Sequence, residues 1–490
     1  MSRELELRPS VHETPLADVC RLLRIPAQQG TVTGLSLDSR FVQQGDLYAA
    51  LPGEHTHGAK FAEHAIAAGA AAILTDFEGA ALLEQVRIPI LVVPYPRETL
   101  GTLAQRIYSG PRPQLIGVTG TNGKTTTTHF IAAVAESADV PSAILGTLGI
   151  RFRDLSSYSG RTTPEAPALH AALQTVAEHG AQLAAMEVSS HALALHRVDG
   201  LRFDVGVFLG LSQDHLDFHG TMEEYFKAKA RLFDPLRSRR AVINIDDEWG
   251  QRLASETVTE HVTYAVTRTA DWTARDVEAV GGRTSFVAVG PSITLPVTLA
   301  LPGGFNVANA LAALATAHAL GMDLGRAAIG LSTVQVPGRF ESVPNARGVA
   351  AFADYAHSPD AVTRVLAVAR TATHGRVIAV LGCGGDRDPL KRPLMGAAAA
   401  EGADLVIITD DNPRSEDPAT IRASMLQGIT DRARVQEIGD RAAAIARAVE
   451  IAEPGDCIMV LGKGHETGQE IAGIMHPFDD RDILREALNR

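Results

Sequence analysis

Short, wholly apolar runs rich in β-branched residues alternate along this chain with alanine-rich stretches of helical period. LIGVTG (115–120) leads into KTTTTHFIAAVAESA, RVIAVLG (376–382) into RPLMGAAAAEGA, and LVIITD (405–410) into a helical stretch after Asp417-Pro418, while CIMVLG (457–462) closes the series. A strand without polar alternation is buried on both faces, so the pattern predicts parallel sheets covered by helices, an α/β architecture. Proline and glycine punctuate it twice: SGPRPQ (109–114) precedes the first strongly apolar strand, and VPGR (336–339) precedes a second αβ series. These breaks predict domains over 1–110, 111–337 and 338–490, which agrees with a length prior of roughly 150 residues per domain.

Composition narrows the function. Hydrophobic residues at 45% and charged residues at 21% are those of a folded globular chain. The formal charge of -12 provides no positive field for nucleic acid or anionic lipid, so anionic ligands need local sites. Cys20, Cys383 and Cys457 are odd in number and far apart, which excludes a disulfide framework and a cysteine zinc module and fits a reducing cytosol. The polar start MSRELELRPS is unlike a secretory signal, and no apolar run reaches the ~18 to 20 residues that span a bilayer. A cytoplasmic protein without membrane insertion is expected.

The sharpest chemical signal lies in GVTGTNGKTTTTHF (117–130), where a strand turns through glycines into a helix. Gly120, Thr121, Asn122, Gly123, Lys124, Thr125 and Thr126 make an anion cradle there. Backbone N–H groups and the helix N-terminus face a phosphate, Lys124 adds a point charge, and the Thr125 hydroxyl can ligate Mg²⁺. The spacing departs from the common phosphate loop, because Val118 stands where its first glycine belongs. ATP or another nucleoside triphosphate is the expected ligand, and the absence of an N-K-x-D motif speaks against a GTPase switch. AVINIDDEW supplies Asp246 and Asp247 as a motor-like acid pair, but two aspartates after a strand are also ordinary turn chemistry.

Downstream, Glu187 in MEVSSHAL and His215 in DHLDFHG follow apolar strand-like runs, which places them at strand carboxyl ends, where α/β sheets bind ligands. Together they could hold a divalent cation, and singly they also read as structural or capping residues. Lys229, after an alanine-rich helical stretch, reads as a solvated position.

Taken in order, GTNGKTT, MEVSSHAL, DHLDFHG, FNVANALAA (305–313), PGRFE (337–341), DYAHSPD (354–360), GCGGDRD (382–388), TDDNPR (409–414) and GKGHE (462–466) resemble the Mur ligase family, in particular the branch that adds the third residue of the peptidoglycan stem. The resemblance implies an N-terminal domain for a uridine nucleotide, a central P-loop ATPase sheet and a C-terminal Rossmann-like domain for the incoming amino acid. It implies ATP and Mg²⁺ as cofactors, with Thr125, Glu187, His215 and a carbamylated Lys229 as metal ligands and Lys124, Lys229 and His215 as catalytic groups. Asn306 falls near adenine, and Arg339 and Asp354 match residues that close the C-terminal domain over ATP. For the UDP-MurNAc-L-Ala-D-Glu substrate it points to Leu37, Ser39 and Arg40, to Glu54, His55 and Thr56 in GEHTHG, and to Thr162, Thr163, Ser189 and Arg197. Two positions depart from some relatives: Leu195 replaces Gln, and Arg161 replaces Asn.

The same resemblance assigns Arg387, Asp411, Asn412, Pro413, Arg414, Gly462 and Glu466 to a pocket for meso-diaminopimelate. That amino acid differs from lysine by a distal carboxylate, which guanidinium groups recognise through paired hydrogen bonds. An arginine left without a carboxylate would select against lysine by roughly 2 to 5 kcal/mol in a dry pocket. L-Lysine or L-ornithine as the added residue, folylpolyglutamate synthase, and an ATP-driven regulator or nucleic-acid motor are the alternatives. A monomer is expected.

Overall fold

The computed structural model describes residues 7–53, 55–158, 160–280 and 283–490. It consists of three α/β layers in series. The first is a parallel sheet in the order β1 (Gly34–Ser36), β2 (Asp46–Ala49), β3 (Ala72–Thr75), β4 (Ile90–Val92). Nearly every residue of these strands is buried. Helix α1 (Pro96–Ile107), with proline at its first position where no N–H is needed, packs Leu100, Leu103 and Ile107 into the same core.

The central sheet is built around β5 (Gln114–Thr119), which runs through the phosphate loop into α2 (Lys124–Ser137). Its other strands are β6 (Ser142–Gly146), β7 (Gly149–Phe152), β8 (Leu155–Ser157), β9 (Leu183–Glu187, after helix α3, Ala166–Glu178), β10 (Phe203–Phe208), β11 (Ser238–Asn244) and β12 (Glu260–Tyr264). The spatial order is β8-β7-β6-β9-β5-β10-β11-β12, parallel except for the β7–β8 hairpin edge. Between β10 and β11 lies α4 (Met222–Ala230). A three-stranded antiparallel sheet, β13 (Thr273–Val280), β14 (Arg283–Gly290) and β15 (Ile293–Leu299), then packs Phe286, Val297 and Leu299 against α5 (Gly304–Ala319). No unbroken apolar run marks this sheet in the sequence, because β14 alternates exposed and buried residues.

The third layer orders β16 (Glu341–Ser342), β17 (Ala350–Asp354), β18 (Val377–Leu381), β19 (Leu405–Ile408), β20 (Val435–Glu437) and β21 (Cys457–Leu461) as β16-β17-β21-β18-β19-β20, with only β16 antiparallel. Helices α6 (Pro359–Ala372), α7 (Lys391–Gly402), α8 (Pro418–Gln427), α9 (Arg441–Ile451) and α10 (Asp480–Leu488) cover both faces. Arg441 and Asp480, both without solvent contact, pair α9 to α10 through two 2.7 Å bonds, and the same guanidinium donates to the carbonyls of Leu461 and Asp410. It thereby ties together the carboxyl ends of β21 and β19, from which site loops emerge.

All three cysteines are free and buried, and among the described residues no helix is long and apolar enough to cross a membrane.

One buried histidine makes stability depend on pH. His170 on α3 donates Nε2–H to the Asp199 carbonyl and accepts at Nδ1 from Arg112, a bonding pattern that requires the neutral ring. Burial, with Arg112 beside it, pushes its pKa down to about 3 from 6.5. Below pH 6.5 the unfolded chain binds a proton that the folded chain refuses, so this contribution is complete above pH 6.5 and is lost as pH falls toward 3. Between pH 7 and 5 the native protein is expected to lose about 2 kcal/mol more than His170→Gln in urea unfolding. Parallel losses in the two proteins would refute the assignment.

Candidate active site

The loops at the carboxyl ends of β5, β9 and β10 face those of β17, β18, β19 and β21, and two cavities open between them. The first, about 710 Å³, is lined by the phosphate loop, Asn306 and Asn309 of α5, Arg339, Asp354 and one side of α6. Two loop glycines are dictated by space as well as by φ. A Cβ on Gly120 (φ 150°) would stand 2.8 Å from Leu209, and one on Gly123 (φ 87°) would stand 2.6 Å from the Asn309 side-chain oxygen. The backbone can thus approach a polyanion closely. Lys124 lies folded back on the loop, its Nζ donating to the carbonyls of Gly120 and Thr121. Asn306 is buried and donates to the Pro302 carbonyl while accepting from Asn309.

Arg339 reaches across from the C-terminal layer, stacks over Tyr355 and donates to the Thr125 hydroxyl at 3.1 Å. Its Nε is buried without a partner, so a donor is left for an anion in this cavity. Asp354 accepts from the N–H groups of Phe340 and Ala356, fixing the segment that carries Arg339. Burial pushes the Asp354 carboxyl up, against the pull of Arg339. Asn122 of the phosphate loop also crosses to the C-terminal layer, bonding Asp360 at 3.0 Å. Asp246 and Asp247, though on the cavity wall, spend their carboxylates on the backbone N–H groups of Val266, Thr267, Gly250 and Leu211, which is turn and capping chemistry.

Beside the loop, Glu187 ends β9 and its carboxylate accepts from the Thr125 hydroxyl (3.0 Å) and from the N–H and hydroxyl of Thr147 (2.8 and 3.2 Å). His215 stands past the end of β10 in the following loop, not on the strand, with a left-handed φ of 55° held by a bond from its N–H to Asp214. Burial pushes its imidazole down, so the ring is neutral and has a lone pair to give. Lys229 departs most from its sequence reading. It is 1% exposed, and its Nζ shares the Gly120 carbonyl with Lys124. Burial, reinforced by Lys124, pushes its ammonium well below its usual pKa. Among the described residues no three His, Cys, Asp or Glu side chains cluster as a ready metal site. The oxygens of Thr125 and Glu187 still suit Mg²⁺, provided the adjoining Lys229 is not a cation.

The second cavity, about 370 Å³, runs from Thr147, Thr162 and His215 to the C-terminal loops, where Arg387, Asp411, Asn412, Arg414, Gly462 and Glu466 line it. A Cβ on Gly462 (φ 116°) would meet the Asp411 carboxylate at 2.4 Å. Pro413 supports the turn without lining the cavity. Arg387 donates to the Asp386 carbonyl. Arg414 donates to the Gly385 carbonyl at 2.6 Å and faces Glu470 at 3.2 Å. This corrects the selectivity argument made from sequence: Arg414 already has a carboxylate partner, so a ligand lacking the distal carboxylate would not leave it uncompensated. Sequence reasoning also missed Lys463, fully buried, which donates to Asn412 and Glu466 and lies 3.7 Å from Asp411. Its signal was present in GKGHE, where the glycine and glutamate drew attention and the lysine between them did not.

Thr163 donates to the Glu187 carbonyl and accepts from the Ser189 N–H, and Ser189 caps the helix that follows. Thr162 lies 3.1 Å from the Thr147 hydroxyl, and Arg197 pairs with Glu165. Leu37, Ser39, His55 and Thr56 sit on the N-terminal layer and line neither cavity. Arg40 is paired to Asp38 within its own turn. Glu54 lies outside the described residues.

Residues 31–108 match the Mur ligase family catalytic domain, 118–317 the Mur ligase middle domain and 338–464 the Mur ligase glutamate ligase domain. The chain belongs to the Mur ligase family, whose members form amide bonds with ATP and Mg²⁺. A Streptomyces coelicolor protein named UDP-N-acetylmuramoyl-L-alanyl-D-glutamate–2,6-diaminopimelate ligase is 48% identical, with 98% of this chain and 97% of that one aligned. A solved structure bearing the same enzyme name superposes with a TM-score of 0.68 at 36% identity, covering 98% of this chain and 99% of that one. Folylpolyglutamate synthase from Mycobacterium tuberculosis reaches a TM-score of 0.63 at 20% identity over 75% of this chain and 92% of its own, a likeness of fold alone.

Proposed function

We propose that this chain is the ligase that joins meso-diaminopimelate to UDP-MurNAc-L-Ala-D-Glu in peptidoglycan synthesis, through an acyl phosphate. The observation that carries the reading is the pair of abutting cavities. One has a phosphate loop, and the other has guanidinium groups alongside the carboxylates of Asp411 and Glu466, a set fit for a zwitterion. Residues 1–110 would bind the uridine nucleotide, 111–337 ATP, and 338–490 the amino acid. Leu37, Ser39, Glu54, His55 and Thr56 would serve the first, and Thr162, Thr163, Ser189 and Arg197 the muramoyl peptide. The enzyme would act in the cytoplasm as a monomer.

In this scheme Lys124 swings from the loop carbonyls to the phosphates, and Arg339 holds the transferring group from the opposite side. Thr125, Glu187, His215 and a carbamate on Lys229 would hold Mg²⁺, which would supply positive charge against the phosphates. The neutral Lys229 amine supported by its burial is the form that adds CO₂, releasing one proton and becoming an anion. Glu187 and Thr147 brace the oxygen donors, and the loop N–H groups orient the chain of phosphates. Positioning and charge neutralisation then supply most of the acceleration.

Phosphate release measured with UDP-MurNAc-L-Ala-D-Glu and, separately, meso-diaminopimelate, L-lysine and L-ornithine tests the proposal. Turnover with diaminopimelate is expected. Silence with all three amino acids would sink the ligase reading, and preference for lysine or ornithine would sink the amino-acid assignment alone.

A further inference from the structure

Among the described residues, Tyr355 and His357 are the two that line both cavities. They follow Asp354 in the loop after β17 and stand where a carboxyl activated on the nucleotide side would meet an amine arriving from the amino-acid side. Nδ1 of His357 lies 2.9 Å from the Tyr355 carbonyl oxygen, which can only accept, so Nδ1 carries the proton and Nε2 keeps the lone pair. Nε2 faces the buried Asp214 carboxylate of the central layer at 3.9 Å. The ring thus has the two supports of a general base: a hydrogen bond that fixes its tautomer and an anion placed to receive the imidazolium.

We propose that His357 is a catalytic residue that accepts the proton of the attacking amine, with Asp214 as its counter-charge. The inference rests on the ligase reading above and adds a role to it. The amine enters as the free base, and its lone pair forms the C–N bond at the acyl-phosphate carbon while the carbonyl π pair moves to oxygen. One N–H proton passes to Nε2 of His357. The oxyanion then collapses, the carbon–oxygen bond to phosphate breaks, and the electron pair leaves on phosphate. His357 returns the proton to that phosphate, so acyl phosphate and amine become amide and hydrogen phosphate.

The counter-charge has opponents around the ring. Lys391 of α7 lies 3.8 Å from the other Asp214 oxygen, Arg339 acts from the linker side, and Asp214 opposes both. Burial, followed by Lys391, pushes the His357 pKa down to about 4, so the ring is neutral and able to accept at physiological pH.

Hydroxylamine supplies the test, because it is uncharged at neutral pH and its weakly basic nitrogen gives up its proton to water after attack. His357→Asn keeps an N–H for the Tyr355 carbonyl and removes Nε2. Amide formation with saturating meso-diaminopimelate is expected to fall about 100-fold or more, the usual contribution of a positioned base. Hydroxamate formation from the acyl phosphate should stay within about threefold of the native enzyme, as expected when no base is needed. Equal loss of both products, as a folding or nucleotide-site defect would give, overturns the proposal. So does an amide rate reduced less than about tenfold, too little for general-base catalysis. Failure of the native enzyme itself to make the amide would instead overturn the ligase reading.

Discussion

Lys229→Ala is expected to lower phosphate release about 100- to 1000-fold while leaving ADP affinity within a few-fold, the pattern for loss of a preorganised charge at the reacting centre. The reason is local. Lys229 and Lys124 share one carbonyl oxygen, Gly120, in a corner that in the proposed scheme would also take Mg²⁺ and the phosphates. Lys124 can leave for the phosphates, since its bonds are to its own loop. Lys229 is sealed behind Tyr225, whose ring lies 4.7 Å from its Nζ, and can contribute only by changing its charge. Carbamylation would do so, and because it would consume the neutral amine, activity should fall as pH drops or as CO₂ is stripped from the buffer. A carbamate carbon signal from ¹³C-bicarbonate, present in the native protein and absent in Lys229→Ala, would report it directly. Turnover within tenfold of native would contradict the role.

Arg414→Ala is expected to raise the KM for meso-diaminopimelate roughly 30- to 700-fold, the equivalent of about 2 to 4 kcal/mol for removing one partner of a partly buried charge pair. The KM for ATP should change less than about threefold, since Arg414 lines only the amino-acid cavity. The Glu470 that faces Arg414 sharpens the expectation. Without the guanidinium, Glu470 is left to repel the distal carboxylate, so the variant should discriminate against diaminopimelate and tolerate lysine better than the native enzyme does. Steady-state kinetics with both amino acids decides it, and an equal rise in both KM values would remove Arg414 from the specificity site.

Much of this architecture is a local property of the sequence. The unbroken apolar runs at 115–119, 377–381, 405–408 and 457–461 are strands because only burial on both faces accommodates them, and the glycine turn before Lys124 forms because Gly120 and Gly123 adopt φ values that side chains resist. The antiparallel sheet at 273–299 was legible too, but in a period of two, not in apolar runs.

The sequence by itself determined which residue types stand at the carboxyl ends of strands, and through motif order which family they belong to. Only the tertiary structure decided their neighbours. Sheet order places β5 between β9 and β10, which brings Thr125 to Glu187 and leads Lys229 back under the loop at Gly120. The facing of two sheets sets His357 opposite Asp214 and gives Arg414 its Glu470. Periodicity reports how deeply a residue is buried along its own element, but burial beneath another element, as at Lys229, and the charge that results depend on contacts between segments remote in sequence.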